Sequence, residues 1–232
     1  MNRVVDQGRV SVEQATARTK ARYNRIARVY DLAEALLERQ FEPWRRKMWA
    51  LARGNILEVG IGTGKNLPYH PHDAKVTGID LSDQMLVRAQ ARARQVRANV
   101  DLREGDVQDL AFPDNTFDTA AATFVFCSVP DPVRGLRELN RVVRPDGRIL
   151  LLDHVWIDHP IIGRLMDWMN PLIVRLWGAN INRRTIENVE RAGLEIERVE
   201  HLGPMQMVKL IVAKPTKTQG AATIDQRTQV NT

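Results

Sequence analysis

Seven residues, Glu58-Val59-Gly60-Ile61-Gly62-Thr63-Gly64, carry the densest chemical signal in this chain. They follow the apolar pair Ile56-Leu57, so a buried strand is expected to end in a glycine-rich turn. Sixteen residues beyond Gly64 stands Asp80, at the end of a second apolar run, Val76-Thr77-Gly78-Ile79. A strand, a glycine turn, a helix and a second strand ending in an acid make half of a nucleoside-binding unit. Glycines let the backbone approach a ligand without intervening side chains. A carboxylate can accept two hydrogen bonds from a ribose diol.

The spacing narrows the ligand. Dinucleotide sites read G-x-G-x-x-G and seat a pyrophosphate on a helix N-terminus. Here the spacing is G-x-G-x-G, and Glu58 stands just before it. A carboxylate there repels phosphates and suits an ammonium. A nucleoside with a ribose, no phosphate and an amino-acid tail describes S-adenosylmethionine. With these motifs the chain resembles the class I S-adenosylmethionine-dependent methyltransferases.

That resemblance implies roles for individual residues. Gly60, Gly62 and Gly64 would line the methionine and ribose, with Glu58 supporting the methionine end. Asp80 would hold the ribose hydroxyls, and Leu81 would pack on adenine. Asp106 would meet the adenine amino group, and the backbone of Val107 a ring nitrogen. Thr123 and Phe124, at the tip of the fourth strand, would approach the methionine ammonium. Tyr23 and Tyr30 could close over the cofactor, and Tyr23 could reach the substrate. No metal site is expected.

The acceptor is less sharply written. No Asn-Pro-Pro-Tyr-like segment follows the fourth strand; Phe124-Val125-Phe126-Cys127-Ser128-Val129-Pro130 stands there, which disfavours a nucleic-acid base. Three segments, 23–31, 112–118 and 139–147, are similar to quinone-biosynthesis C-methyltransferases and to bacterial phosphatidylethanolamine N-methyltransferases. The Phe-Cys-Ser-Val stretch with Asp153-His154-Val155 also resembles membrane-associated thiol methyltransferases. The resemblance implies a lipid or lipid-like substrate. Phosphatidylethanolamine nitrogen is the first expectation; a polyprenyl quinol carbon and a small-molecule thiol or hydroxyl are the alternatives. An amine, quinol or thiol must lose a proton on methylation. His154 is the best-placed candidate base, since histidine titrates near neutrality. Catalysis by proximity, without a protein base, stays open.

These residues need a scaffold. The pattern of strands and helices, with the resemblance, implies a Rossmann-like α/β fold. Its sheet would have seven mostly parallel strands, an antiparallel C-terminal hairpin and flanking helices. Strands are expected at 55–59, 75–79, 99–103, 119–126, 148–153, 194–201 and 206–213. Helices are expected at 64–69, 83–97 (capped by Ser82), 131–143 and 182–192, with a turn at Pro145-Asp146-Gly147. Residues 1–53 read as a basic N-terminal extension: irregular over 1–14, helical from 12 to 37, and helical again from 42 to 52. Tyr23, Ile26, Ala27 and Tyr30 share one face, while Arg18, Arg22, Arg25 and Arg28 gather opposite. The methyltransferase domain is expected over 54–214. Inside it, residues 156–179 form an apolar, Trp-rich insertion, broken by Pro160 and Pro171, that could lid the site or lie at a lipid interface. Residues 215–232 read as a disordered tail.

Charge and composition add partners. Residues 1–53 hold twelve Lys/Arg and six Asp/Glu, which accounts for the whole net charge of +6. A basic arm on a neutral core suits an anionic partner, either membrane headgroups or nucleic acid. The neutral core, without aromatic–basic interleaving on a sheet face, argues against nucleic acid. The single cysteine, Cys127, excludes an internal disulfide. With no secretory signal or spanning segment, the expected place is the cytoplasm, peripheral at the inner membrane face. The sequence does not indicate an oligomeric state.

Overall fold

The computed structural model describes residues 2–154, 168–169, 180, 183–203 and 208–217. Seven strands form one sheet: β1 (Asn55–Val59), β2 (Lys75–Asp80), β3 (Val100–Glu104), β4 (Phe117–Thr123), β5 (Val143–His154), β6 (Leu194–Leu202) and β7 (Val208–Pro215). Their spatial order is β3-β2-β1-β4-β5-β7-β6. The first five strands pair in parallel, and β7 runs antiparallel to both β5 and β6. This is the Rossmann-like architecture expected from the sequence. Between β1 and β4 the strand order reverses, and such a switch point opens a crevice at the carboxyl ends of the strands.

The central strands are apolar on both faces because helices cover both. On one side α3 (Pro132–Val142) and α4 (Thr185–Arg191) pack through Leu136, Leu139 and Val189 onto Leu57, Ala120, Ile149 and Leu151. On the other, Met48 and Trp49 meet Ile56, Ala121, Leu150 and Leu210. A third cluster joins Ala89 and Ala93 of α2 (Asp83–Val96) to Ile61 and Leu67. Ser82 caps α2 as its position suggests, accepting from the Met85 N–H at 3.2 Å.

Several boundaries differ from expectation. The irregular start over 1–14 and the break near residue 40 are absent; α1 is one helix, Asn2–Trp49, of 48 residues and about 72 Å. Pro43 lies inside it and costs a backbone hydrogen bond. Phe41, Arg45, Met48 and Trp49 around that proline are all buried, so tertiary packing holds the helix together. β4 stops at Thr123, not at residue 126, because Phe124 takes a left-handed φ of 57° and turns the chain. β5 begins at Val143 and absorbs the expected Pro-Asp-Gly turn, with a register irregularity opposite Phe117 and Thr119. The helix expected at 64–69 is a short 3-10 turn, Leu67–Tyr69, and α4 starts later than residue 182.

Helix α1 reads out the sheet as it crosses the carboxyl edge. Lys20 pairs with Glu104 at the end of β3, and Asn24 donates to Asp83 just past β2 at 2.8 Å. Thr63 after β1 donates to Asp31 at 2.6 Å. Phe41 meets Phe124 after β4 with ring centroids 4.9 Å apart, and Lys47 pairs with Glu200 of β6. Of the 156–179 insertion only Trp168 and Met169 are described, both exposed, and the expected tail lies outside the described residues from 218 onward.

Candidate functional site

The turn after β1 holds Gly60, Gly62 and Gly64 at φ of 64°, 57° and 80°, a region costly for other residues. They serve different ends. A Cβ on Gly60 would stand 2.5 Å from Val125 Cγ2, so Gly60 lets the tip of β4 approach. A Cβ on Gly62 would meet nothing nearer than the Gly60 carbonyl at 3.9 Å. It would therefore project into open space, the cradle a ligand needs. A Cβ on Gly64 would stand 2.5 Å from Leu67 Cδ1 and 3.2 Å from the Ala89 backbone, which puts Gly64 in packing behind the cavity wall.

Asp80 ties the turn to β2. Its Oδ2 accepts from the Gly62 N–H at 2.8 Å, and its Oδ1 from the Ser82 N–H at 2.9 Å. Burial pushes its carboxyl up to about 6; the Ser82 and Gly62 amides oppose the rise, and the charge of Glu58 adds to it. The result is an acid held at the cavity wall with capacity to accept from a ribose.

The cavity runs from this turn along the strand tips, with about 730 Å³ of empty space, its open mouth included. At one end Leu81, Met85 and Val107 make an apolar slot beside Asp106. At the other stand Gly60, Thr123, Phe124 and Val125, with Ser128, Val129 and Pro130 beyond. Thr19, Tyr23 and Tyr30 of α1 complete the wall. Thr19 and Tyr23 are one helical turn apart, and the Tyr23 and Tyr30 rings meet edge-on at 6.5 Å.

The structure thus brings together Tyr23, Tyr30, Gly60, Gly62, Asp80, Leu81, Asp106, Val107, Thr123 and Phe124 around one cavity. Glu58 and Gly64 lie a layer behind it. Glu58 is 1% exposed, and its oxygens accept from Asn66 Nδ2 at 2.6 Å and bond His70 Nε2 at 2.8 Å. His154 ends β5 in register with Val208; its side chain lies outside what is described.

Three polar residues that sequence reasoning missed organise this wall. Asn66, buried, donates from Nδ2 to Glu58 and to Thr123 Oγ1 (3.1 Å), and accepts from Arg45 Nη1 at 2.8 Å. Arg45 itself, 4% exposed, pairs with Glu38 and lies 5.6 Å from the centre of the Phe124 ring. Gln108, also buried, donates to both Asp106 oxygens at 3.0 and 3.1 Å and to Thr16 Oγ1 at 3.0 Å. Its own oxygen accepts from the Asp131 N–H at 2.9 Å. Arg45 lies among other charged residues of α1, and Asn66 and Gln108 each stand beside a charged neighbour, so nothing in their local sequence singles them out.

A glycine turn, a buried acid at the tip of β2 and an apolar slot with its own acid meet at the switch point of this α/β sheet. Residues 57–151 match the methyltransferase domain family. The phosphatidylethanolamine N-methyltransferase of Cereibacter sphaeroides is 43% identical over 103 residues, 44% of this chain and 51% of that protein. A ubiquinone/menaquinone biosynthesis C-methyltransferase of Bdellovibrio bacteriovorus is 28% identical over 160 residues, 66% of this chain and 68% of that one. The chain therefore spans about half the length of the first relative and about two thirds of the second. Among solved structures, an S-adenosylmethionine-dependent methyltransferase of Thermotoga maritima superposes with a TM-score of 0.65 at 19% identity, covering 85% of this chain and all of that one. The geranyl diphosphate C-methyltransferase of Streptomyces coelicolor A3(2) gives 0.61 at 16% identity, covering 75% and 81%. At such identities these two speak to the fold alone. Residues 57–151 thus carry a methyltransferase domain, the chain as a whole is similar to class I S-adenosylmethionine-dependent methyltransferases, and S-adenosylmethionine is the cofactor these likenesses support.

Proposed function

We propose that this chain methylates the amino headgroup of a membrane lipid, with phosphatidylethanolamine as acceptor. The observation that carries this reading is the two-sidedness of α1. One face of the helix, through Thr19, Tyr23 and Tyr30, walls the cavity. Arg18 and Arg25 are exposed on the same stretch. A helix that roofs a reaction chamber and turns cations outward suits an enzyme that works against anionic headgroups. Trp168, 79% exposed beside Met169, adds an apolar contact of the kind found at lipid interfaces. Among the described residues no helix is long and apolar enough to cross a membrane. The relative named as a phosphatidylethanolamine N-methyltransferase supports the same acceptor.

When bound, S-adenosylmethionine supplies a sulfonium methyl. Asp80 holds the ribose, and Asp106, oriented by Gln108, addresses the adenine amino group. Thr123 and Phe124 seat the methionine end, with the Glu58 charge a layer beneath. Tyr23 and the Ser128–Pro130 wall align the acceptor nitrogen for in-line attack, which excludes water and supplies proximity. The acceptor nitrogen would give up one proton, to His154 or to water, to free the lone pair that takes a methyl group.

The test is turnover by the full chain on vesicles of phosphatidylethanolamine and phosphatidylglycerol with S-adenosylmethionine, lipids read by mass spectrometry. Mono-, di- and trimethylated headgroups are expected. The second relative favours another reading, C-methylation of a polyprenyl quinol. Product on a demethylated prenyl quinol and none on the phospholipid would replace the first reading with that one.

A further inference from the structure

Asn180 and Arg183 stand where the chain returns from residues 156–179 to the sheet, and both dock on the segment after β4. Asn180 donates to the Cys127 carbonyl from its backbone N–H at 2.9 Å and from Nδ2 at 3.0 Å. Arg183 donates from Nη2 to the Val129 carbonyl at 2.8 Å, and its Nε reaches the Cys127 carbonyl at 3.5 Å. Val129 lines the cavity together with its neighbours Ser128 and Pro130. The guanidinium is therefore held against the backbone of a cavity-lining segment.

Two neutral carbonyls orient this cation without neutralising it. A guanidinium carries five N–H donors, and among the described residues Nη1 engages none. Arg183 forms no ion pair with a described carboxylate; Cys127, Asp153 and Asp131 favour its charged form electrostatically. It is half-buried, and burial outweighs those charges, pushing its pKa below the usual arginine range. A partly desolvated cation lacking a contact counter-ion is unfavourable by itself, and an anionic ligand relieves that cost. The planar fork of arginine matches the oxygens of a phosphate.

We propose that Arg183 is the anchor for the headgroup phosphate of the acceptor, receiving a phosphodiester oxygen on its open Nη1 edge. The ethanolamine nitrogen, two methylenes from that phosphate, is thereby held against the wall of Ser128 and Val129. The proposal rests on the phospholipid reading above, since a quinol offers no anion for Arg183 to hold. It also gives the bare Phe-Cys-Ser-Val-Pro stretch a reason to lack a charged residue of its own: the charge arrives from the other side of the insertion.

The experiment compares wild type, Arg183→Gln and Arg183→Lys on phosphatidylethanolamine vesicles. Soluble glycerophosphoethanolamine serves as competitor, and cofactor affinity is measured in parallel by calorimetry. Arg183→Gln is expected to raise KM for the lipid by roughly tenfold or more. Its kcat and cofactor affinity should stay near wild type, and competition by the soluble headgroup should disappear. Arg183→Lys should recover part of the KM and the competition. An unchanged KM in Arg183→Gln overturns the anchor. So does a loss of cofactor affinity in parallel with KM, which identifies Arg183 as a brace of the Cys127–Val129 segment. Wild-type protein that binds cofactor yet turns over no phospholipid removes the substrate reading, and the anchor falls with it.

Discussion

Asp80 accepts a hydrogen bond from the Gly62 N–H at 2.8 Å, so the acid at the tip of β2 closes the glycine turn that follows β1. One carboxylate shapes the turn, and under the proposed ribose role its ionisation is coupled to cofactor binding.

Burial raises the Asp80 carboxyl from an ordinary 3.8 to about 6. Between those values the folded protein keeps a proton that the unfolded chain has released. The stability of the ligand-free protein therefore declines as pH rises through that window and levels off above about 6. Cofactor affinity runs the opposite way, because the ribose hydroxyls need an ionised acceptor, and it should fall as pH drops below about 6. Asp80→Asn should weaken binding by roughly tenfold at neutral pH and abolish both dependences. Calorimetric titrations on either side of that pH would show it; a wild-type affinity that is flat with pH removes the ribose role.

Gly62 and Gly64 should separate binding from stability. Gly62→Ala forces a left-handed alanine at a cost of about 1–2 kcal/mol and places its methyl in the open cradle. Cofactor affinity should fall by far more than that strain alone implies. Gly64→Ala carries the same strain and also drives a methyl against Leu67 and the Ala89 backbone. Its urea midpoint should drop further than that of Gly62→Ala. The reverse order of midpoints would refute the division of roles.

Asn66 joins Arg45, Glu58 and Thr123 through its two amide ends. Asn66→Ala leaves a buried carboxylate and a buried guanidinium each short of a partner, a loss of roughly 2–3 kcal/mol in chemical unfolding. Asn66→Asp is expected to be worse than Asn66→Ala for cofactor binding, because it sets a second carboxylate against Glu58. Equal stability of Asn66→Ala and wild type would show that the network carries little of the fold.

Neutralising Arg18, Arg22 and Arg25 together should cut binding to anionic vesicles by up to about 1 kcal/mol per charge. The effect should shrink with added salt. Cofactor affinity should hold, because the cavity-lining face of α1 at this stretch is Thr19 and Tyr23. Co-sedimentation that does not change would rule out α1 as the electrostatic contact.

Sequence alone determined the cofactor half of this protein. The apolar run, the G-x-G-x-G turn and Asp80 lie within a short stretch of chain, so their spacing alone is enough to predict a strand, a glycine turn and an acid at the next strand tip. Tertiary structure decided what lies over and under that half. The sequence reads as two helices, 12–37 and 42–52, yet burial of Phe41, Arg45 and Trp49 keeps α1 whole and carries Tyr23 and Tyr30 to the cavity. Glu58 stands in the motif that promised it to the ligand, but Asn66 and His70 claim both its oxygens. Gln108 reaches Thr16 across 92 residues of sequence to hold Asp106 in place. Such pairings depend on where the chain returns in space, and only the packed sheet and its helices specify that.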